Sequence, residues 1–287
     1  MQPRLLTPAQ TAHPDDRLIV ARLEGAGYRV LKSDKTDLYY KVLGLLGGIE
    51  GLGWLTHEMM LRLCADAQLR KGRAYTLAEL KSLAQPQAQV EQFYSLLAEL
   101  VLQGAFRRGY ALTCPYCGQT AWTAPHLEER QTCQGCGAIF QPPLELPFAY
   151  RPNHLLSAAL RNGATSLLLF LHQMRGVSAN FIWGAGYEVS KGGQKADLDL
   201  VTLLGDVLTV IECKDELPAH ASTKTRQQIE QQVAVAQALG AEAFLLATLA
   251  PSIPAEIQAF FDHAPSEGML QRLMGRQALV TGRSRQA

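Results

Sequence analysis

The stretch that most constrains the chain is residues 197–214, Asp-Leu-Asp-Leu-Val-Thr-Leu-Leu-Gly-Asp-Val-Leu-Thr-Val-Ile-Glu-Cys-Lys. Two runs rich in aliphatic and β-branched residues, 197–204 and 207–214, flank Gly205-Asp206. A two-residue, glycine-containing link between such runs specifies a tight hairpin. With Leu204 opposite Val207, the register is set along the whole ladder: Asp199 faces Glu212 and Asp197 faces Lys214. Because side chains alternate across a strand, these four share a face with Val201, Leu203, Leu208 and Val210. The other face carries Leu198, Leu200, Leu204, Val207, Ile211 and Cys213. Both faces are apolar except at one charged end, so the hairpin is expected at the centre of a sheet covered on both sides by helices.

Two carboxylates opposite each other repel, and exclusion of water raises the cost. Positive charge is therefore required at that end. Lys214 supplies one charge, and a hard divalent cation on oxygen ligands, Mg2+ or Mn2+, supplies the rest. Such a cation suits phosphodiester hydrolysis, because it polarises a phosphoryl oxygen and lowers the pKa of bound water. The lysine would place that water or offset transition-state charge. On the residues alone a plainer reading stays open, in which Asp197 and Lys214 form a solvated ion pair and the other acids cap a loop.

Asp199, 12 intervening residues and Glu212-Cys-Lys214 resemble the D…(D/E)xK signature of the PD-(D/E)XK nuclease superfamily, the restriction-endonuclease-like fold. The wording of the hairpin is most similar to the Mrr-like and Holliday-junction-resolvase-like branches. The context is similar too: a helix over 155–174, a Gly192-Gly193 approach, then a helix over 227–239 and a strand over 243–248. The resemblance spans residues 152–255, and no proline precedes Asp199, a departure shared by many members. It implies that Asp199 and Glu212 hold the catalytic metal and that Lys214 is the catalytic lysine. It also implies an earlier acid, best matched by Glu188, and a glutamine on the following helix, where Gln228, Gln231 and Gln232 lie and Gln232 is nearest the buried stripe of Ile229, Val233 and Ala236. A surface position accounts for Glu188, and a solvated face for the glutamines, almost as well. The implied activity is that of a Mg-dependent endodeoxyribonuclease acting in prokaryotic defence against phage or mobile elements, as a homodimer or within a larger complex. The competing class is a non-catalytic protein that binds nucleic acid or assembles a complex on a nuclease-like fold.

Four of the six cysteines form two tight pairs, Cys114-Pro-Tyr-Cys117-Gly and Cys133-Gln-Gly-Cys136-Gly, separated by 15 residues. Each CxxC-Gly turn can aim two thiolates at one point, and two such turns supply a tetrahedral sulfur set for zinc. The pattern resembles a zinc ribbon over 113–141, with a structural ion because four protein ligands leave no open position. His126 is expected on the connecting loop, and Trp122 and Phe140 in the small ribbon core. The prolines within 142–147 suggest a boundary, with the nuclease-like domain following over 150–265.

Ahead of the cysteines, Thr76-Leu-Ala-Glu79 has the capping-box pattern of a helix start. Gln85-Pro86 breaks that helix, and a second repeats apolar residues from Val90 to Val101 before Gly104. Phe106-Arg-Arg-Gly-Tyr-Ala-Leu112 reads as a turn between two short strands, which completes a winged-helix outline over 73–112. Arg70, Lys71, Arg73, Arg107 and Arg108 give this module a local positive face that could position DNA.

The 27 Lys+Arg against 26 Asp+Glu exclude a protein that coats nucleic acid by global charge, so contact must come from local patches. Residues 1–72 read as a mainly helical region, with a helix near 18–23 and a strand near 28–31, and carry no readable chemistry. The glycines at 44, 47, 48, 51 and 53 match no phosphate-loop fingerprint and read as helix ends and turns. Residues 266–287 read as a helix end and tail. The opening residues lack the apolar core of a secretory signal, and 42–55 is too short and too glycine-rich to span a membrane, so a cytoplasmic protein is expected. The fold class expected is α/β, with an α-β-α core at the C-terminus preceded by the ribbon and a mainly helical region.

Overall fold

The computed structural model describes residues 16–84, 90–178, 180–218, 223–262, 269–276 and 279. Gln85-Pro86, His220 and the tail arginines Arg283 and Arg285 lie outside the described residues. The chain divides into two compact units, one drawn from residues up to Thr56 and from Asn162 onward, the other comprising His57–Arg161.

The first unit opens with α1 (Arg17–Gly25), β1 (Arg29–Lys32) and α2 (Asp34–Leu45), followed by a 3-10 helix, Glu50–Thr56. Ile19 and Leu23, four residues apart, are the buried face of α1. Gly47 and Gly48 take φ of +80 and +89° after α2, as expected of a turn rather than a phosphate loop.

The second unit runs α3 (Glu58–Ala65), α4 (Ala67–Arg70), β2 (Tyr75–Thr76), α5 (Leu77–Ala84), α6 (Val90–Leu102), β3 (Phe106–Thr113), β4 (Thr120–Thr123), β5 (Gln131–Thr132), β6 (Ile139–Phe140), β7 (Phe148–Pro152) and α7 (His154–Arg161). The capping box forms: the Thr76 amide donates to Glu79 Oε2 at 2.7 Å, and the Glu79 amide donates to Thr76 Oγ1 at 3.3 Å. Residues 106–112 do not turn. They lie in one continuous strand, β3, whose antiparallel partner β7 arrives only after the cysteine segment. The sheet order is β2-β7-β3-β4, with β2 ahead of α5 and α6 and the cysteine segment inserted between β3 and β7. Gly109 on β3 is required there, because a Cβ would lie 2.5 Å from the Trp122 ring. Trp122 thus packs on this sheet instead of filling the ribbon.

On returning to the first unit, the chain forms α8 (Ala164–Val177), β8 (Ile182–Lys191), β9 (Gln194–Leu204), β10 (Val207–Lys214), α9 (Thr223–Ala238), β11 (Ala243–Thr248), α10 (Ala255–Asp262) and β12 (Leu270–Met274). The sheet order is β1-β8-β9-β10-β11-β12. β1, β8, β9 and β10 pair antiparallel, whereas β11 and β12 join in parallel after helical crossovers. α1, α9 and α10 share one apolar cluster with the strands, including Ile19, Ile229, Val233, Ile257, Phe244 and Val210. α8 buries Leu167, Leu168 and Leu171 and packs on β10 and β11, and α2 packs on β8. The architecture is α/β, with helices on a mixed sheet, as the two-faced apolar hairpin required.

Four boundaries differ from the expectation. Residues 16–56 belong to the sheet unit, because β1 supplies its edge strand and α1 covers its core. The prolines within 142–147 lie in the loop between β6 and β7, and the units part at Asn162. The helix expected over 155–174 is two helices, broken where Gly163 adopts φ of +71°, and the first belongs to the smaller unit. Residues 270–274 form the sixth strand, not a helix end.

Candidate active site

The hairpin pairs as its turn dictates, from Val207 with Leu204 to Ile211 with Leu200. Gly192-Gly193, with φ of +59 and +83°, forms the preceding tight turn, where Lys191 pairs with Gln194. Alternation along β9 is not strict. Ala196 and Leu198 join the same apolar cluster as Val201 and Leu203, so the strand changes phase across Asp199. The neighbouring pairing passes from Ala185–Leu200 to Tyr187–Leu198 around Gly186, which adopts φ of +71°. A Cβ at Gly186 would lie 2.9 Å from the Thr36 amide nitrogen. The Gly186 carbonyl accepts from Ser33 Oγ and Thr36 Oγ1 at the start of α2, which ties that helix to the sheet beside Asp199.

Asp199 therefore projects where both ladders interrupt, and its Oδ2 accepts from the Cys213 amide at 3.0 Å. Glu212 is buried, with 8% of its side chain exposed. Lys214 Nζ lies 2.5 Å from Glu212 Oε1 and 3.8 Å from Asp199 Oδ2. The lysine thus pairs with these two acids and not with Asp197, whose side chain is exposed. Burial, reinforced by the Asp199 charge, pushes the Glu212 carboxyl up to about 7 against the pull of Lys214. Burial alone would lower the Lys214 ammonium, but the Glu212 and Asp199 carboxylates outweigh it and hold the group above its usual range. One ammonium between two carboxylates leaves a net negative, oxygen-lined site, a donor set suited to a hard divalent cation.

A cavity of about 350 Å³ opens over these groups. Glu188, Asp199, Glu212, Lys214 and Gln232 all line it, together with Lys35, Asp197 and Lys195. Glu188 pairs with Lys195 at 2.8 Å, directly across the ladder from Asp197. Gln232 donates from Nε2 to the Asp197 carbonyl, and Gln231 donates to the Lys195 carbonyl at 3.0 Å. Both glutamines fasten α9 to β9, so their amide nitrogens are already engaged. Arg226, at the start of α9, pairs with Glu230 at 2.7 Å.

Three contributors were not read from the sequence. Lys35 reaches the cavity from α2, and Tyr39 on the same helix is buried near Asp199. Burial, with the charges of Asp199, Cys213 and Asp215 behind it, holds the Tyr39 phenol protonated. Asp215 accepts from the Thr165 and Ser166 amides at 3.2 and 2.7 Å, which caps the start of α8. Nothing in the α2 sequence marks it as a neighbour of Asp199.

In the smaller unit, the four cysteine sulfurs of Cys114, Cys117, Cys133 and Cys136 lie within 4.8 Å of one another. The Cys114–Cys136 and Cys117–Cys133 separations are 3.7 and 3.6 Å. Four sulfurs at about 2.3 Å from a tetrahedral zinc would stand about 3.8 Å apart, so the set fits that ion. Gly118 and Gly137 take φ of +74 and +73° and let each turn close, with Gly118 and Gly137 amides donating to the Cys114 and Cys133 carbonyls. His126 is exposed on the connecting loop and is not one of the cluster.

No protein-family model and no curated protein matches the chain. Among solved structures, similarity is found to protein VC1899 from Vibrio cholerae, at 13% identity and a TM-score of 0.46, over 91% of this chain and 58% of that one. It is also found to Can2 from Sulfobacillus thermosulfidooxidans, solved in complex with cyclic tetra-adenylate, at 14% identity and a TM-score of 0.37, over 90% and 57%. The chain spans less than two thirds of either neighbour's length. Among the described residues no helix is long and apolar enough to cross a membrane.

Proposed function

We propose that the chain is a metal-dependent nuclease that hydrolyses phosphodiester bonds, with DNA as the leading substrate. The observation that carries this reading is the convergence of a buried Glu212, Asp199 and Lys214 in one open cavity, with a lysine 2.5 Å from one acid and 3.8 Å from the other. Asp199 and Glu212 would hold the cation, Mg2+ or Mn2+. When bound, it would polarise a phosphoryl oxygen and acidify a water. Lys214, held between the acids, offsets charge on the phosphoryl group and orients the attacking water. Glu188 stands across the ladder from Asp197 at the cavity rim and is the fourth acid of the site. Gln232 positions Asp197 and α9 through its hydrogen bond to the backbone. The cysteine cluster is assigned a structural zinc. Action in defence against phage or mobile elements is the setting the family resemblance implies.

The test is incubation of the full chain with supercoiled, linear and single-stranded DNA and with RNA, with Mg2+, Mn2+ or no added metal. Metal-dependent cleavage that is lost in Lys214→Ala and Asp199→Ala supports the reading. Equal cleavage by wild type and both variants identifies a contaminant. Binding of these substrates without cleavage under any metal would make the chain a non-catalytic nucleic-acid-binding protein.

A further inference from the structure

The smaller unit carries a second charged cavity, of the opposite sign. About 220 Å³ in volume, it is lined by Lys71, Arg107, Arg151, His154, Ser157 and Arg161, together with Gly72, Pro152 and Asn153. No carboxylate is among its lining residues. Among the described residues none of Lys71, Arg107, Arg151 and Arg161 pairs with an acid.

The cavity is built by the fold. Arg107 on β3 stands directly opposite Arg151 on β7. Like charges in that relation are destabilising. Burial, and then the Arg107 charge, lower the Arg151 pKa from its ordinary value. Arg151 is nevertheless held in place, its guanidinium 3.9 Å from the Trp122 ring centroid. Ser157 Oγ donates to the Arg70 carbonyl at 2.6 Å, and Arg161 Nη1 lies 3.4 Å from both of these oxygens. Asn153 donates to the Gly104 carbonyl and accepts from the Leu156 amide, each at 2.8 Å, which fixes the start of α7. Gly72, at φ of +83°, brings the end of α4 close to Ser157. Four cations from three separate segments are thus gathered on ordered elements without a counter-ion.

We propose that this cavity binds the phosphate backbone of a nucleic-acid strand. Guanidinium groups present paired donors that match phosphate oxygens, and a site of 220 Å³ holds one phosphate with several waters at about 30 Å³ each. Charge favours a strand over a free anion: four gathered cations exceed what one phosphate neutralises, whereas successive phosphodiesters neutralise them together. The contact lies on β3, β7 and the ends of α4 and α7, and not on α6, whose exposed residues include Glu91 and Glu99. It does not rest on the nuclease reading.

The experiment is fluorescence anisotropy of labelled 20-nucleotide DNA and RNA, single-stranded and duplex, with the full chain carrying Lys214→Ala and no added divalent metal. Binding should weaken at least tenfold in Arg107→Gln with Arg151→Gln, and the salt slope should fall by about two. An exposed control, Arg62→Gln, should leave both unchanged. Melting temperature separates this from a folding defect: Arg107→Gln alone relieves the cross-strand repulsion, so it should melt no lower than the parent while binding falls. Absence of binding to every oligonucleotide, or equal binding by parent and double variant, overturns the proposal. So does thermal stabilisation by inorganic phosphate, abolished in the double variant, with no oligonucleotide binding, which would mark a small-anion site.

Discussion

Among the described residues, like charges are set against each other at two contrasting places, one in each unit, and the two are resolved differently. In the larger unit, Asp199 and Glu212 converge just beyond the last pair of the β9–β10 ladder, and the strand itself delivers a counter-charge two residues later in Lys214. In the smaller unit, Arg107 and Arg151 face each other within the β3–β7 ladder, and the described residues supply no acid. The difference follows burial. Glu212 is nearly sealed from water, so its charge must be compensated within the fold or neutralised by a proton. Arg107 is exposed and Arg151 half-buried, so solvent screens the pair and no internal counter-charge is needed.

The sharpest way to break this comparison is to remove the internal counter-charge. Lys214→Met should cost about 3 kcal/mol in denaturant unfolding of the metal-free protein, because it strands two carboxylates. It should also lower cleavage by about 10³-fold. A variant as stable as the parent would show that the acids are already neutral and that the contrast is false. Cys133→Ser should next abolish zinc binding and, in hydrogen exchange, deprotect β5, β6 and the cysteine turns, while β8–β10 stay protected. Loss of protection in β9 or β10 would contradict the division into two units.

Smaller effects sharpen the picture. Gly186→Ala should destabilise by about 1–3 kcal/mol, since it places a side chain at positive φ against Thr36, and cleavage should fall with it because Asp199 shifts. Glu212→Gln tests the proton. Burial holds the Glu212 proton in the metal-free fold up to about 7, whereas the unfolded chain releases it near the ordinary carboxyl value of 4.5. The folded state therefore binds more protons across that window, and metal-free stability should decline as pH rises through it. Glu212→Gln should flatten the decline, measured as melting temperature against pH. Added Mn2+ should stabilise the parent more at pH 8 than at pH 6 and leave Glu212→Gln unmoved. A parent with no slope between those values would place the Glu212 proton elsewhere.

The two regions also differ in how far they could be read in advance. The acidic site was legible because a two-residue turn sets the register of everything near it, so Asp199, Glu212 and Lys214 followed from counting outward from Gly205-Asp206. Even there the count failed locally: Leu198 lies with Val201 because Gly186, on a strand further upstream, lets both strands change phase. The basic site was half legible. Lys71 and Arg107 stood out as basic residues, Arg107 in what read as a turn, but its partner Arg151 lies beyond the inserted cysteine segment, where no local pattern records the pairing. The same distance hid Lys35 and Tyr39, which meet Asp199 only because β1 joins the sheet edge and carries α2 with it. Periodicity speaks for neighbours along the chain and says little about which segments become neighbours in space.

Asp215 gives Lys214 an anchorage independent of the acids. The residue after the lysine grips the first amides of α8, and the Lys214 carbonyl accepts from the Leu249 amide at 3.1 Å. The backbone at the end of β10 is thus bolted to a helix on one side and a parallel strand on the other. A lysine mounted in this way loses little backbone freedom when its side chain settles between the acids, so the place of its ammonium is set before anything enters the cavity.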